Sequence, residues 1–260
     1  MKETAIRAAR MAGEFLLRNI DHAKLITSVQ NPTTQEDLDS EKIILSILQA
    51  AYPDHAFLGE ELGRQETSSE YTWIIDPIDG TNNYIEGRDT FSVSIGLEKS
   101  GEIILGVVYL PKRDELFVAE LDKGATLNGD LIRASTVIDL EQAVITYSAY
   151  PGSEEAMKVM ETKLEASLPN MKRFGFDSDE RDPLFGRGSM AAEFCYVACG
   201  RIDGLVRLRQ KPWDVAAGSL IVREAGAVLA DLQNHVPSIY EGDYVAANPE
   251  LQKKIIALLQ

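Results

Sequence analysis

From Phe91 to Leu97 the chain alternates large apolar residues with small ones, Phe91, Val93, Ile95 and Leu97 against Ser92, Ser94 and Gly96. A two-residue period in side-chain direction belongs to a strand and not to a helix. The run has neighbours of its own kind. Trp73-Ile74-Ile75 precedes it, residues 103–110 and 116–120 follow it, and turn signals at Lys99-Ser100-Gly101, Pro111 to Asp114 and Asn128-Gly129 separate them. Connections this short join antiparallel neighbours, so the stretch reads as an antiparallel meander.

The flanking segments have a helical period. Residues 4–20 put Ile6, Ala9, Gly13, Leu16 and Ile20 on one face and leave Lys2, Glu3, Arg7, Arg10 and Glu14 for solvent. After the break at Asn31-Pro32, Thr34 and Asp37 have the T-x-x-D spacing of a helix start, and Leu38, Ile44, Leu45, Ile47, Leu48 and Ala51 continue it to Tyr52-Pro53-Asp54. Beyond about residue 140 strands and helices alternate: strand 143–147, helix 154–168, a strand near Phe174, helix 189–199, strand 205–208, helix 215–224, strand 228–230, and strand 244–247 leading through Asn248-Pro249 into a closing helix. The expected organisation is therefore α+β over residues 1–140, helices on an antiparallel sheet, and α/β over residues 141–260, with no linker or repeat between the halves. The charged, glycine-containing stretch 177–188 reads as a loop bordering a substrate.

Acids outnumber bases 41 to 26, a formal charge of −15. Such a chain has no nonspecific grip on a phosphate backbone or an anionic bilayer, so neither nucleic acid nor membrane is expected as a partner. No run approaches the roughly 20 apolar residues of a membrane helix, and the amphipathic start lacks a signal-peptide core. The expected location is the cytoplasm. The two cysteines, Cys195 and Cys199, have no second pair or suitably spaced His to complete a zinc site and read as reduced core thiols. The acidity has a second implication: a net-negative protein that takes an anionic substrate needs local positive charge, which divalent cations held by clustered carboxylates supply.

Three acidic segments fit that description. Asp76-Pro77-Ile78-Asp79-Gly80-Thr81 directly follows a strand, which exposes two carboxylates together, and Gly80 permits close approach of backbone to a ligand. A bare D-x-x-D is most often an Asp-rich turn; the full hexad is more specific. Glu60 and Glu61 follow the strand-like Ala56-Phe57-Leu58 and Gly59, although a lone Glu pair is usually solvated surface. Asp214 precedes the helical run from Val215 and reads as its N-cap, a role that by itself would explain the residue. Acids gathered from separate segments suit a hard cation such as magnesium, which prefers carboxylates, carbonyls and water to nitrogen or sulfur. The three His residues are scattered, and no Ser/His/Asp elbow or cysteine nucleophile context appears, so attack by metal-activated water is favoured over a covalent intermediate.

The motifs GEE at Gly59 to Glu61, DPIDGT at Asp76 to Thr81 and WDVAAGSLIVREAGA from Trp213 to Ala227 resemble, in order and spacing, the signatures of the inositol monophosphatases. The resemblance covers most of the chain and is loosest over residues 149–187. It implies a layered α-β-α-β-α sandwich of the sugar-phosphatase type, a phosphoric monoester hydrolase acting on a small phosphorylated metabolite, a homodimer, and sensitivity to lithium. It also implies that Glu60, Asp76, the carbonyl of Ile78, Asp79 and Asp214 hold two or three Mg2+ ions with Asp76 bridging, that Gly80 and Thr81 meet the phosphate, and that Asp37 and Thr81 form a hydrogen-bonded pair orienting the attacking water.

One position departs from the pattern. Members acting on inositol phosphate carry an acid on the strand before the WD motif that accepts from sugar hydroxyls; here that position is Arg207. An arginine cannot accept, but it can grip a second phosphate or a carboxylate. Fructose 1,6-bisphosphate or a 3′-phosphorylated adenosine nucleotide therefore stays open beside a sugar-like or inositol phosphate. Arg187, Arg201, Arg209 and Lys211 are further basic candidates nearby in sequence, and the plain alternative is that Arg207 faces solvent. A metal-binding regulatory protein that keeps the fold without the activity is the reading from another class.

Overall fold

Among the described residues, three separate apolar clusters divide the molecule into layers. The computed structural model describes residues 1–23, 25–26, 32–149, 155, 158–159, 162–163, 173–175, 188–240 and 242–260. Helices α1 (Lys2–Asn19) and α2 (Gln35–Ala51) cover one face of an eight-stranded sheet with the order β2-β1-β3-β4-β5-β6-β7-β8. Its strands are β1 (Ala56–Gly59), β2 (Gly63–Gln65), β3 (Tyr71–Asp79), β4 (Ser92–Lys99), β5 (Glu102–Leu110), β6 (Glu115–Glu120), β7 (Ala125–Leu127) and β8 (Asp130–Leu131). A short helix α3 (Thr81–Ile85) leaves the end of β3. The second sheet, of five strands in the order β10-β9-β11-β13-β12, comprises β9 (Val144–Ala149), β10 (Arg173–Gly175), β11 (Gly204–Gln210), β12 (Val228–Ala230) and β13 (Gly242–Ala247). Helices α4 (Met190–Ala198) and α5 (Pro212–Glu224) lie between the sheets, and α6 (Pro249–Leu259) covers the outer face of the second. This is the layered α-β-α-β-α arrangement, a mixed α+β fold.

The alternation in β3 and β4 explains how one sheet serves two cores. Trp73, Ile75, Val93, Ile95 and Leu97 belong to the cluster under α1 and α2, whereas Ile74 points the other way into the central layer. Each such fully buried large side chain contributes about 1.5–3 kcal/mol. The small residues between them are no solvent face: Ser92 and Ser94 are buried. A Cβ on Gly96 would lie 2.9 Å from Ala216 Cβ, and one on Gly106 would lie 2.5 Å from Ala217 O. Helix α5 therefore rests on the sheet where side chains are missing, which brings its first turn to the end of β3.

Three expectations are corrected here. The first sheet is not a pure meander, because β1 runs parallel to β3. Strand β3 does not stop at Ile75 but carries on through Asp79. Helix α5 begins at Pro212 rather than Val215, since proline has no N–H to lose at the first helical position. Most of the helix expected over 154–168, and the stretch 177–187, fall outside the described residues. Among the described residues no helix is long and apolar enough to cross a membrane. Cys195 is buried, Cys199 half-buried, and both are unbridged.

Candidate metal centre

In the pairing of β3 with β4, Asp76 stands opposite Ser94 and Asp79 opposite Ser92, so three steps on one strand match two on the other. The extra residue is a bulge. It falls at Pro77-Ile78, where proline has no N–H to donate to a ladder. On a regular strand, residues three apart point to opposite faces; the bulge cancels that and lets Asp76 and Asp79 converge. Asp76 Oδ1 accepts from Ile78 N within the bulge (3.0 Å), and Ser40 Oγ on α2 donates to Pro77 O (3.2 Å).

Asp214 comes from the opposite side, on the first turn of α5. It is the third residue of the helix rather than its N-cap: Lys211 is the cap, and its N–H donates back to Asp214 Oδ2 (3.0 Å). The correction follows from the earlier start at Pro212. Carboxylate oxygens of Asp76, Asp79 and Asp214 lie within 4.8 Å of one another, and all three residues are buried. Glu60, in the turn after β1, stands beside Asp76 and outside this tightest group.

Burial pushes the pKa of each of the four acids up, and neighbouring charges add to it: Asp214 acts on Glu60, Glu60 and Asp79 act on Asp76, and Asp79 acts on Asp214. Like charges brought this close out of water are unfavourable unless a cation compensates them. The donor set, carboxylates with no nitrogen or sulfur ligand, is the kind magnesium accepts.

Asp79 is the most firmly held of the acids. Its Oδ2 accepts from Ser189 Oγ (2.8 Å), Ala191 N (2.6 Å) and Ser92 Oγ (3.4 Å), and its Oδ1 from Met190 N (3.0 Å). It thus meets the free N–H groups at the start of α4, where negative charge is favoured. These hydrogen bonds pull its pKa down against the burial. Sequence reasoning missed Ser189, whose signal was a serine immediately before an apolar helical run, and missed Ser92, which looked like the idle side of an alternating strand.

Asp37, at the third position of α2, is fully buried. Its Oδ2 accepts from the N–H (2.7 Å) and hydroxyl (2.6 Å) of Thr34, and its Oδ1 from Thr81 Oγ1 (3.2 Å). Burial pushes its carboxyl up to about 6. The Thr81 hydroxyl also lies 3.1 Å from the carbonyl of Ile78. Gly80 turns the chain between β3 and α3 at φ +92, a left-handed conformation, and a Cβ there would crowd Gly188 O and Ser189 Cβ at 3.2 Å. Asp37, Glu60, Asp76, Ile78, Asp79, Gly80, Thr81 and Asp214 therefore form one neighbourhood.

Arg207 lies inside the protein and not on the solvent face. It is 2% exposed, forms an ion pair with Glu193 of α4, and donates to Thr146 Oγ1 (3.0 Å) and Val206 O (2.8 Å). It does not face solvent, and its guanidinium is engaged inside the protein. Arg201 makes a bidentate pair with Glu115 (2.8 and 2.6 Å), Arg209 is exposed on β11, and Arg187 lies outside the described residues.

Comparison with known proteins supplies the context. The model of the inositol monophosphatase family matches residues 1–260. A Vibrio cholerae protein named Nus factor SuhB is 36% identical over 266 residues, covering 98% of this chain and 94% of that protein. The crystal structure of the extragenic suppressor protein suhB from Bartonella henselae superposes with a TM-score of 0.88 at 31% identity, covering 100% of this chain and 98% of that one. An inositol monophosphatase from Anabaena superposes with a TM-score of 0.83 at 29% identity, covering 99% and 94% of the two chains.

These names correct one expectation. Nucleic acid cannot be struck from the partners on charge, because relatives spanning nearly the whole chain are named Nus factors. A net charge of −15 averages the whole surface. Exposed charges act over roughly 10 Å at moderate salt, so the total says nothing about a single face.

Proposed function

Since the chain belongs to the inositol monophosphatase family, we propose that it is a magnesium-dependent phosphomonoesterase acting on a small sugar-like or inositol phosphate. The observation that carries the reading is the convergence of Asp76, Asp79 and Asp214 within 4.8 Å in a buried setting. Glu60, Asp76, Asp79, Asp214 and the Ile78 carbonyl would hold magnesium, with Asp76 at the centre of the group. Bound there, the metal would lower the pKa of water and stabilise charge on the phosphate ester. The Thr81 hydroxyl, which donates to Asp37, keeps a lone pair to accept from a water. The water proton then passes to Thr81 as Thr81 releases its own to Asp37, whose carboxyl, raised to about 6, is a competent acceptor near neutral pH. Gly80 and Thr81, in the turn after β3, would contact the phosphate.

Arg207 bears on the choice of substrate. A guanidinium already paired with Glu193 is not held open for a second phosphate, which favours a monophosphate over the bisphosphate alternatives. Phosphate release measured with and without Mg2+ across sugar, inositol and nucleotide phosphates tests the reading. Asp79→Asn and Asp214→Asn are expected to abolish turnover with the fold retained, and unchanged turnover in either would refute its assignment.

A second reading rests on the relatives named Nus factor SuhB: this chain keeps the fold and acts through partner contacts. A wild-type chain that releases no phosphate from any compound in the panel favours it.

A further inference from the structure

The turn that carries Glu60 is held from outside itself. Strands β1 and β2 pair Gly59 with Gly63, leaving Glu60, Glu61 and Leu62 as the turn. Its three N–H groups all have partners: Glu60 N donates to Ile75 O (3.2 Å), Glu61 N to Glu41 Oε2 (2.9 Å) and Leu62 N to Glu41 Oε1 (3.0 Å). Glu41 is 0% exposed and lies on α2, one helical turn after Asp37. It reaches the turn because residue 59 has no side chain: a Cβ there would lie 1.9 Å from Glu41 Oε1.

A buried carboxylate on a helix whose other buried positions include Ile44, Leu45 and Leu48 is an expensive way to fill space. It does something an apolar residue cannot, accepting two backbone N–H groups at once. Asp37, Ser40 and Glu41, spaced i, i+3 and i+4, share one helix face. Asp37 accepts from Thr81, Ser40 donates to Pro77 O, and Glu41 grips the turn after β1. One stripe of α2 thus touches both segments that carry the candidate ligands of the first sheet, the turn after β1 and the run from Asp76 to Thr81.

We propose that Glu41 is a positioning residue that fixes Glu60 relative to Asp76 by locking the turn from Glu60 to Leu62, an inference that rests on the phosphatase reading of the acid cluster. The test is isothermal titration of the full chain with Mn2+ as the metal probe, which reads binding independently of turnover. Glu41→Gln replaces one accepting oxygen with an N–H donor facing a backbone N–H, and is expected to weaken Mn2+ binding by about 10–100-fold, the usual effect of losing a group that supports a metal ligand. Glu98→Gln removes another buried carboxylate, one bonded to Tyr240 away from the cluster, and is expected to bind Mn2+ as the wild type does.

Gly59→Ala, which displaces the Glu41 carboxylate without removing it, should reproduce the loss. Because both act through one contact, the double variant should be no worse than either single one. If Glu41→Gln and Gly59→Ala fold and bind Mn2+ with wild-type affinity, or if both lose their helical circular dichroism, Glu41 serves the fold alone and the inference fails. If the wild type itself binds no Mn2+, the phosphatase reading fails first and takes this one with it.

Discussion

Gly106→Ala tests how the fold places Asp214. Gly106 lies on β5 under α5, and the added methyl would sit 2.5 Å from Ala217 O, 3.1 Å from Ala217 C and 3.2 Å from Ala217 Cα. All three are backbone atoms, so no side chain can rotate aside. Ordinary contact begins at 3.4 Å, which requires the helix to retreat by 3.4 − 2.5 = 0.9 Å at this point. Overpacking of this kind costs about 1–3 kcal/mol. At about 2–4 °C per kcal/mol for a chain of this size, the melting temperature should fall by roughly 2–12 °C. Asp214 is one helical turn from Ala217, so the same displacement carries its carboxylate away from Asp76 and Asp79. A misplacement near 1 Å costs on the order of 100-fold in rate where geometry is critical, so phosphate release should fall more than stability does. Thermal melts with and without Mg2+, together with initial rates of phosphate release, read both effects. A variant that melts with the wild type and turns over at its rate would show that α5 does not rest on Gly106 as described.

Two buried or half-buried acids beside the cluster make stability depend on pH in a defined direction. Asp37 is raised to about 6 and Glu61 to about 7, both chiefly by burial. Folded-state values above the unfolded ones mean that the native chain binds more protons, so in chelator its stability should be greatest below about pH 4 as far as these groups decide, and be lost as pH rises to about 7. The stabilisation from added Mg2+ should correspondingly grow between about pH 5 and pH 8, and melts showing the reverse trend would refute the electrostatic account. Arg207→Met leaves Glu193 without its buried partner and should cost about 3–5 kcal/mol in chemical denaturation. Adding Glu193→Gln should recover much of that loss, and a single variant as stable as the wild type would show that the ion pair is not formed. Thr34→Ala removes the hydroxyl that donates to Asp37 and should cost about 1 kcal/mol of stability; no change in denaturation midpoint would count against the capping geometry.

Much of the local structure was legible in the sequence because its causes are local. The capping box at Thr34 and Asp37 involves residues three apart, and the alternation in β4 and the Asn248-Pro249 start of α6 need only neighbouring side chains. The motifs around Glu60, Asp76 and Asp214 pointed to the acid cluster through resemblance. Other features required partners distant in the chain. Ser92 and Ser94 looked like a polar strand face, yet they meet Ser189 and the carbonyl of Trp213 in the central layer. Arg207 pairs with Glu193 of α4, a contact that no local pattern in the chain marks. Glu41 carried no signal at all, being one more acid on an amphipathic helix.

The sequence by itself determined the elements, their order and the kinds of side chain available for chemistry, since backbone preference and apolar period act over a few residues. Tertiary structure decided which of those side chains meet: a one-residue bulge at Pro77-Ile78 turned Asp76 and Asp79 to the same side, and a pair of glycines let α5 bring Asp214 to them. Convergence of like charges is opposed locally and is imposed only by the packing of whole layers, which is why no short stretch of the chain could reveal it.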